Sequence, residues 1–170
     1  MNSIDTVEKD KNSVSVLFVC LGNICRSPTA DGVFRTMCQT MNAQKNIEVD
    51  SAGTAGWHTG RSPDTRSIAA AKQRGYDLSF LKARQVSPED FQRFDYVLAM
   101  DANNLIDLKK ICPSNYTGTL DLFLAFAEQP HDGDVPDPYH GDIDGFDVVL
   151  DLVEDGCRGL LADMQKRHGV

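Results

Sequence analysis

The sequence predicts an α/β fold: a parallel sheet wrapped by helices on both faces. Short apolar runs alternate with segments whose apolar residues recur at helical spacing, the pattern of strands joined by helical crossovers. Turn-forming Gly, Pro, Ser and Asp residues punctuate the joins. A length of 170 residues, 41% of them hydrophobic, suits one core and leaves little room for a second.

The elements follow in order. Residues 14–19 (Val-Ser-Val-Leu-Phe-Val) are a nearly continuous apolar run, as expected of a strand buried on both faces. A tight loop, residues 20–26, comes next. Ser27-Pro28 predicts a helix N-cap followed by a first-turn proline. Ala30, Val33, Phe34 and Met37 then fall on one stripe of that helix. Ile47 and Val49 predict a second strand running into Ser51-Ala52-Gly53. Ser62-Pro63 opens a helix through Ile68 to Ala71 that stops at Gly75. Ser87-Pro88-Glu89-Asp90 opens a short helix, residues 96–100 predict another buried strand, and Asp101 is placed to cap the helix carrying Leu105, Ile106 and Leu108. A weaker strand is expected at 120–123. Phe146, Val149, Leu150, Val153, Cys157, Leu160, Leu161 and Met164 mark one long amphipathic helix at the C-terminus. Before it, residues 128–145 are rich in Pro, Gly and Asp; a loop of that length in a compact domain is usually functional.

Residues 1–13 are polar and of mixed charge, so they are expected to be a flexible extension ahead of a single domain over 14–170. They contain no apolar stretch of the kind a secretory signal requires, and no run in the chain approaches the ~20 apolar residues of a membrane span. The net charge of −8 argues against nucleic acid or an anionic membrane as partner. Five irregularly spaced cysteines with no export signal predict free thiols in a reducing compartment, the cytoplasm. No Cys/His grouping has zinc spacing, and neither metal nor cofactor is expected.

In open α/β sheets ligands sit outside the carboxyl ends of the strands, which brings residues 20–26, Ser51 and Asp101 around one site. The first loop reads Cys20-Leu-Gly-Asn-Ile-Cys-Arg-Ser27. A cysteine six positions before an arginine is a weak signal alone. Here it ends a buried strand, and the arginine precedes a helix N-terminus. Such a loop can turn successive backbone N–H groups inward as an anion nest. Gly22 can supply a positive φ, and Asn23 tolerates the left-handed region. The helix N-terminus adds donors and partial positive charge, and Arg26 has the planar fork that matches two phosphate oxygens. Both are expected to lower the Cys20 pKa and favour a thiolate nucleophile. This local positive pocket reconciles an acidic protein with an anionic substrate. The plain alternative for Cys20 is a small buried hydrophobe; Cys25, inside the loop, has the same alternative in stronger form.

A thiolate that attacks phosphorus must expel an alkoxide or phenoxide, which calls for a general acid. Asp137, flanked by Pro136 and Pro138 and followed by Tyr139, is one candidate on the long loop. Asp132, Asp134, Asp142, Asp144 and Asp147 surround it, and residue types alone do not single it out. Their spacing fails the EF-hand pattern. His58, His131, His140 and His168 read as solvated. Trp57, the one tryptophan, either flanks a substrate ring or packs in the core.

The run from Cys20 to Pro28 closely resembles the signature of the low-molecular-weight protein tyrosine phosphatases. The similarity extends through Ser51-Ala-Gly-Thr54, Ala83-Arg-Gln85, Phe94-Asp-Tyr96, Met100-Asp101 and Asp137-Pro-Tyr139. The resemblance implies a four-stranded parallel sheet. It implies Cys20 as nucleophile, Arg26 as phosphate ligand, and Asp137 as acid and then as base for the attacking water. By the same likeness Asn23, Ser27 and Ser51 hold the loop and hydrogen-bond the thiolate. The candidate set is therefore Cys20, Arg26 and Asp137 for the chemistry. Leu21, Gly22, Asn23, Ile24, Cys25, Ser27, Ser51, Trp57 and Tyr139 are placed around the phosphate and its ring. A tyrosine-phosphorylated protein is the implied substrate, and a tyrosine kinase acting on the same protein the implied counterpart. The chain departs from the pattern twice. Residues 79–82 lack the histidine that often buttresses the Met-Asp aspartate, and Tyr139 is followed by His140 rather than by a second tyrosine.

Three other readings stand beside this one. Arsenate reductases on a similar scaffold need two further cysteines close together, whereas Cys112 and Cys157 are 45 positions apart. Protein-arginine phosphatases carry threonine where this chain has Ile24. A non-catalytic phosphopeptide-binding module would need neither nucleophile nor acid.

Overall fold

The structure, a computed structural model, describes residues 13–170. The expected extension over 1–13 thus lies, but for Ser13, outside the described residues. Four strands form one parallel sheet in the order β2-β1-β3-β4: β1 Val14–Cys20, β2 Ile47–Gly53, β3 Tyr96–Ala99 and β4 Thr119–Leu122. The central β1 pairs with β2 and β3, and all seven of its residues are buried, as its unbroken apolar composition requires. Around the sheet lie α1 Arg26–Thr40, α2 Thr65–Gln73, the single turn α3 Asp90–Arg93, α4 Ala102–Ile111 and α5 Asp144–His168.

The period-2 alternation of β1 divides the core in two. Val16, Phe18 and Cys20 face the side covered by α1, α2 and α5, where Phe18 meets Phe34 and Phe123 edge-on. Leu17 and Val19 face the other side, with Phe91, Phe94 and Leu108. The expected stripe of α5 is buried throughout, from Phe146 to Met164. Register carries the design to the site: Cys20 pairs with Gly53 and Val19 with Ala99, so three strands end side by side.

Two helix starts differ from expectation. Helix α1 begins at Arg26, with Cys25 at the cap position and no capping side chain. The hydroxyl expected to cap it, that of Ser27, is engaged elsewhere: its Oγ lies 3.0 Å from Cys20 Sγ. Helix α2 begins at Thr65, because Asp64 rather than Ser62 accepts from a backbone N–H, that of Arg66. Asp101 caps α4 as its position predicts, accepting from Asn104 N at 2.7 Å.

Candidate active site

At the carboxyl end of the sheet the loop after β1 is held from every side. The carbonyls of Cys20, Leu21 and Ile24 accept from the backbone N–H groups of Thr54, Ala55 and Asp64 at 2.8–3.0 Å. With its carbonyls turned outward, the loop has the polarity of an anion nest. The left-handed residue is Asn23, at φ 57°, and not Gly22. Gly22 is close-packed instead: a Cβ there would lie 3.0 Å from the His58 ring, which would have to give way. At Gly53 a Cβ would meet Leu21 O at 2.6 Å, so only glycine lets β2 end this close to the loop.

Asn23 is the internal brace. Its Nδ2 donates to Ser27 Oγ at 2.8 Å and to Ser51 Oγ at 3.0 Å, while its Oδ1 accepts from Arg84 N at 3.0 Å. With Asn23 donating to it, the Ser27 hydroxyl keeps its own proton for Cys20 Sγ or for Ala52 O, 3.3 Å away. Asn23, Ser27 and Ser51 are all buried beneath the loop. They stand behind the sulfur and do not line the cavity.

That cavity, about 180 Å³, is lined by Cys20, Leu21, Gly22, Ile24, Cys25, Arg26, Trp57, His58, Asp137, Tyr139 and His140. Trp57, 71% exposed, is no core residue; it forms one wall of the mouth, and Tyr139 with His140 forms another. His131, His140 and His168 are exposed, as the solvated reading expects, and His58 is half-buried, but each also has a place in the structure. His58 and His140 line the cavity, the His131 ring lies 2.6 Å from Asp155 Oδ2, and His168 approaches the Tyr96 hydroxyl. A larger groove, about 470 Å³, runs beside α1 and β2, but its arginines Arg35 and Arg93 are ion-paired with Asp31 and Glu48.

Arg26 is almost fully buried. Its Nη1 donates to Asp101 Oδ2 at 2.5 Å and to Val135 O at 3.1 Å, and its Nη2 lies 3.7 Å from Asp137 Oδ2. Burial works against its charge. The attraction of Cys20, the bond donated to Asp101 and the charge of Asp137 outweigh it and raise the guanidinium above its ordinary value. Asp101, without its histidine, therefore has Arg26 as its partner. For Cys25, burial pushes the thiol up to about 12, which keeps it mostly protonated at neutral pH.

The loop that carries Asp137 enters from the other side. Val135 N donates to Met100 O at 2.7 Å, fixing its base at the end of β3. Asp137 Oδ1 accepts from Tyr139 N at 3.1 Å, a local turn that aims the other oxygen at Arg26. The structure thus brings Asp137 to the cavity and leaves the other five carboxylates considered with it off the lining.

A cysteine on a strand end, an arginine and a carboxylate converge on one anion-sized cavity, and this constellation can be compared with known proteins. The family profile described as low molecular weight phosphotyrosine protein phosphatase matches residues 15–169. The chain belongs to that family. Among its relatives is the low molecular weight protein-tyrosine-phosphatase YfkJ of Bacillus subtilis, 40% identical over 153 residues, 90% of this chain and 97% of that one. The crystal structure of a protein tyrosine phosphatase from Entamoeba histolytica superposes with a TM-score of 0.87 at 38% identity, covering 91% of this chain and 98% of the other. The Drosophila arginine phosphatase shares the fold at a TM-score of 0.82 and 31% identity, covering 88% and 97%.

Parts of this phosphatase site escaped the sequence reading. The Arg26–Asp101 pair was open to it, since Asp101 follows β3 at the same sheet edge as the loop. The bracing of Asn23 through Arg84 had no local signal, because the two are 61 positions apart.

Proposed function

We propose that this phosphatase hydrolyses phosphotyrosine in proteins through a cysteinyl-phosphate intermediate on Cys20. The observation that carries this is the placement of the Cys20 sulfur, the Arg26 guanidinium and the Asp137 carboxylate around one small cavity with an aromatic mouth. Arg26 Nη1 is committed to Asp101 and Val135, so the Nε–Nη2 edge is the one offered to two phosphate oxygens. The Cys20 thiolate attacks phosphorus in line, and the bond to the ester oxygen breaks as the S–P bond forms. Asp137, protonated at this stage, gives its proton to the departing phenolate. As a carboxylate it then takes a proton from water, whose oxygen attacks phosphorus and releases inorganic phosphate with the Cys20 thiolate. Ser27, 3.0 Å from the sulfur, stabilises that thiolate as leaving group. Leu21, Ile24, Trp57 and Tyr139 supply the apolar walls for the ring. The setting is the cytoplasm, where free thiols persist; no described helix is long and apolar enough to cross a membrane.

Two measurements test this. Rapid quench with a labelled phosphotyrosyl peptide should trap phosphate on Cys20. A phosphotyrosyl peptide should exceed its phosphoarginyl counterpart in kcat/KM, since Ile24 offers a ring an apolar wall. A preference for phosphoarginine would move the enzyme to the activity named for its Drosophila neighbour.

A further inference from the structure

The acid loop has a second anchor that the chemistry above does not use. Asp64 N donates to Ile24 O at 2.8 Å, which fixes the start of α2 to the phosphate-binding loop. The Asp64 carboxylate receives Arg66 through two contacts, Nε at 3.0 Å and Nη2 at 2.9 Å. The same Nη2 donates to Tyr139 O at 3.0 Å. The guanidinium also lies over two rings, 5.5 Å from the centre of Tyr139 and 4.7 Å from that of Phe146.

From this chain of contacts we infer that Arg66 is a positioning residue for proton transfer, tying the acid loop to the phosphate-binding loop through Asp64. The inference rests on Asp137 being the acid. Tyr139 is the residue whose N–H turns Asp137 toward Arg26, so a hand on the Tyr139 carbonyl fixes that turn from its far end. Val135 fixes the near end. Between the two lie Pro136, Asp137 and Pro138, stiff residues that transmit position and do not absorb it. Bonding to Arg66 also holds the Asp64 carboxyl below the usual carboxylate range, which favours the charged form of the link. Arg66 touches neither the phosphate position nor the sulfur. Its loss displaces the acid and leaves the grip on phosphate intact.

The test is a leaving-group series. With phenyl phosphate, a poor leaving group, Arg66→Ala should lower kcat/KM about 10- to 100-fold, the scale on which a misplacement of about 1 Å acts. With 2,4-dinitrophenyl phosphate, which departs without a proton, kcat/KM, which reports only the steps up to departure of the phenolate, should change less than about threefold. In an Asp137→Asn background the added loss from Arg66→Ala should nearly vanish, because one function cannot be removed twice. Phe146→Leu, which loosens the stack and keeps the arginine, should show the same pattern at smaller size and guards against a variant that fails to fold. A uniform loss across the series, or full multiplication of the two effects, overturns the inference. If Asp137→Asn shows leaving-group dependence and Arg66→Ala does not, the clamp alone is wrong. If Asp137→Asn shows none, the acid assignment falls and takes the clamp with it.

Discussion

The two loops that make the site are built in opposite ways. Residues 20–26 connect a strand buried along its whole length to a helix whose first residues are buried too, and three of the loop carbonyls are tied to neighbouring backbone. The acid loop runs over the surface, and the Asp137 side chain is 44% exposed. Its hold comes from Val135, from its own Asx turn and from Arg66. On the proposed mechanism the grip on phosphate is thus a property of the core, and the delivery of a proton a property of the surface. Damage to the first region should cost stability along with activity, whereas damage to the second should cost activity alone.

The most severe way to break that comparison is at the sulfur. Cys20→Ser should reduce turnover by several orders of magnitude and still bind phosphate, because Arg26 and the loop backbone are unchanged. Retention of more than about 1% of the rate would rule out the covalent route. Next comes the surface half. Asp137→Asn should lower kcat/KM for aryl phosphates with poor leaving groups by roughly 10²–10⁴ and for para-nitrophenyl phosphate much less, with no change in Tm. An equal loss across leaving groups would remove Asp137 as the acid. Smaller still is the wall: Ile24→Thr should shift the kcat/KM ratio toward phosphoarginine by about 10-fold, the scale of one altered apolar contact, and an unchanged ratio would end the argument for that wall.

The smallest effect on turnover belongs to Cys25. Its thiol, pushed up to about 12, is given no part in the hydrolysis, so Cys25→Ser should retain near-normal rates. After peroxide the two proteins should part. The sulfenic acid formed on Cys20 can condense with the Cys25 thiol, losing water and giving a disulfide that dithiothreitol reduces. The Cys25→Ser protein should therefore recover poorly, and the oxidised parent should be two hydrogens lighter by mass spectrometry. Full recovery without Cys25 would return it to plain packing.

The buried half was the legible half. An unbroken apolar run, a Gly-Asn turn and a Ser-Pro helix start are local signals, and together they placed Cys20 and Arg26 before any fold was known. Ser27 shows the limit of such signals: its type predicts a cap, but the nearby sulfur and Asn23 compete for the same hydroxyl and win. Asp137 was one of six equivalent loop acids by residue type, and only the resemblance singled it out. Selection among them depends on long-range facts, the Val135–Met100 bond and the hold of Arg66 on Tyr139, that no short window contains. Trp57 was undecided for a related reason. A lone tryptophan after a strand suits core or rim equally until the course of the chain is known.

The Arg26–Asp101 pair has a consequence for the end of the cycle. The guanidinium meets its anion with one nitrogen already engaged by a carboxylate, so it is oriented before substrate arrives and does not offer its full charge to whatever occupies the cavity. Inorganic phosphate, the last species to leave, is the ligand held by charge and nest alone, with no ring against the walls. Tempering the cation weakens that product more, in proportion, than it weakens a phosphotyrosine that also buries its ring. The carboxylate behind the arginine thereby favours departure, and it sets how much free phosphate the enzyme tolerates before product inhibition limits turnover.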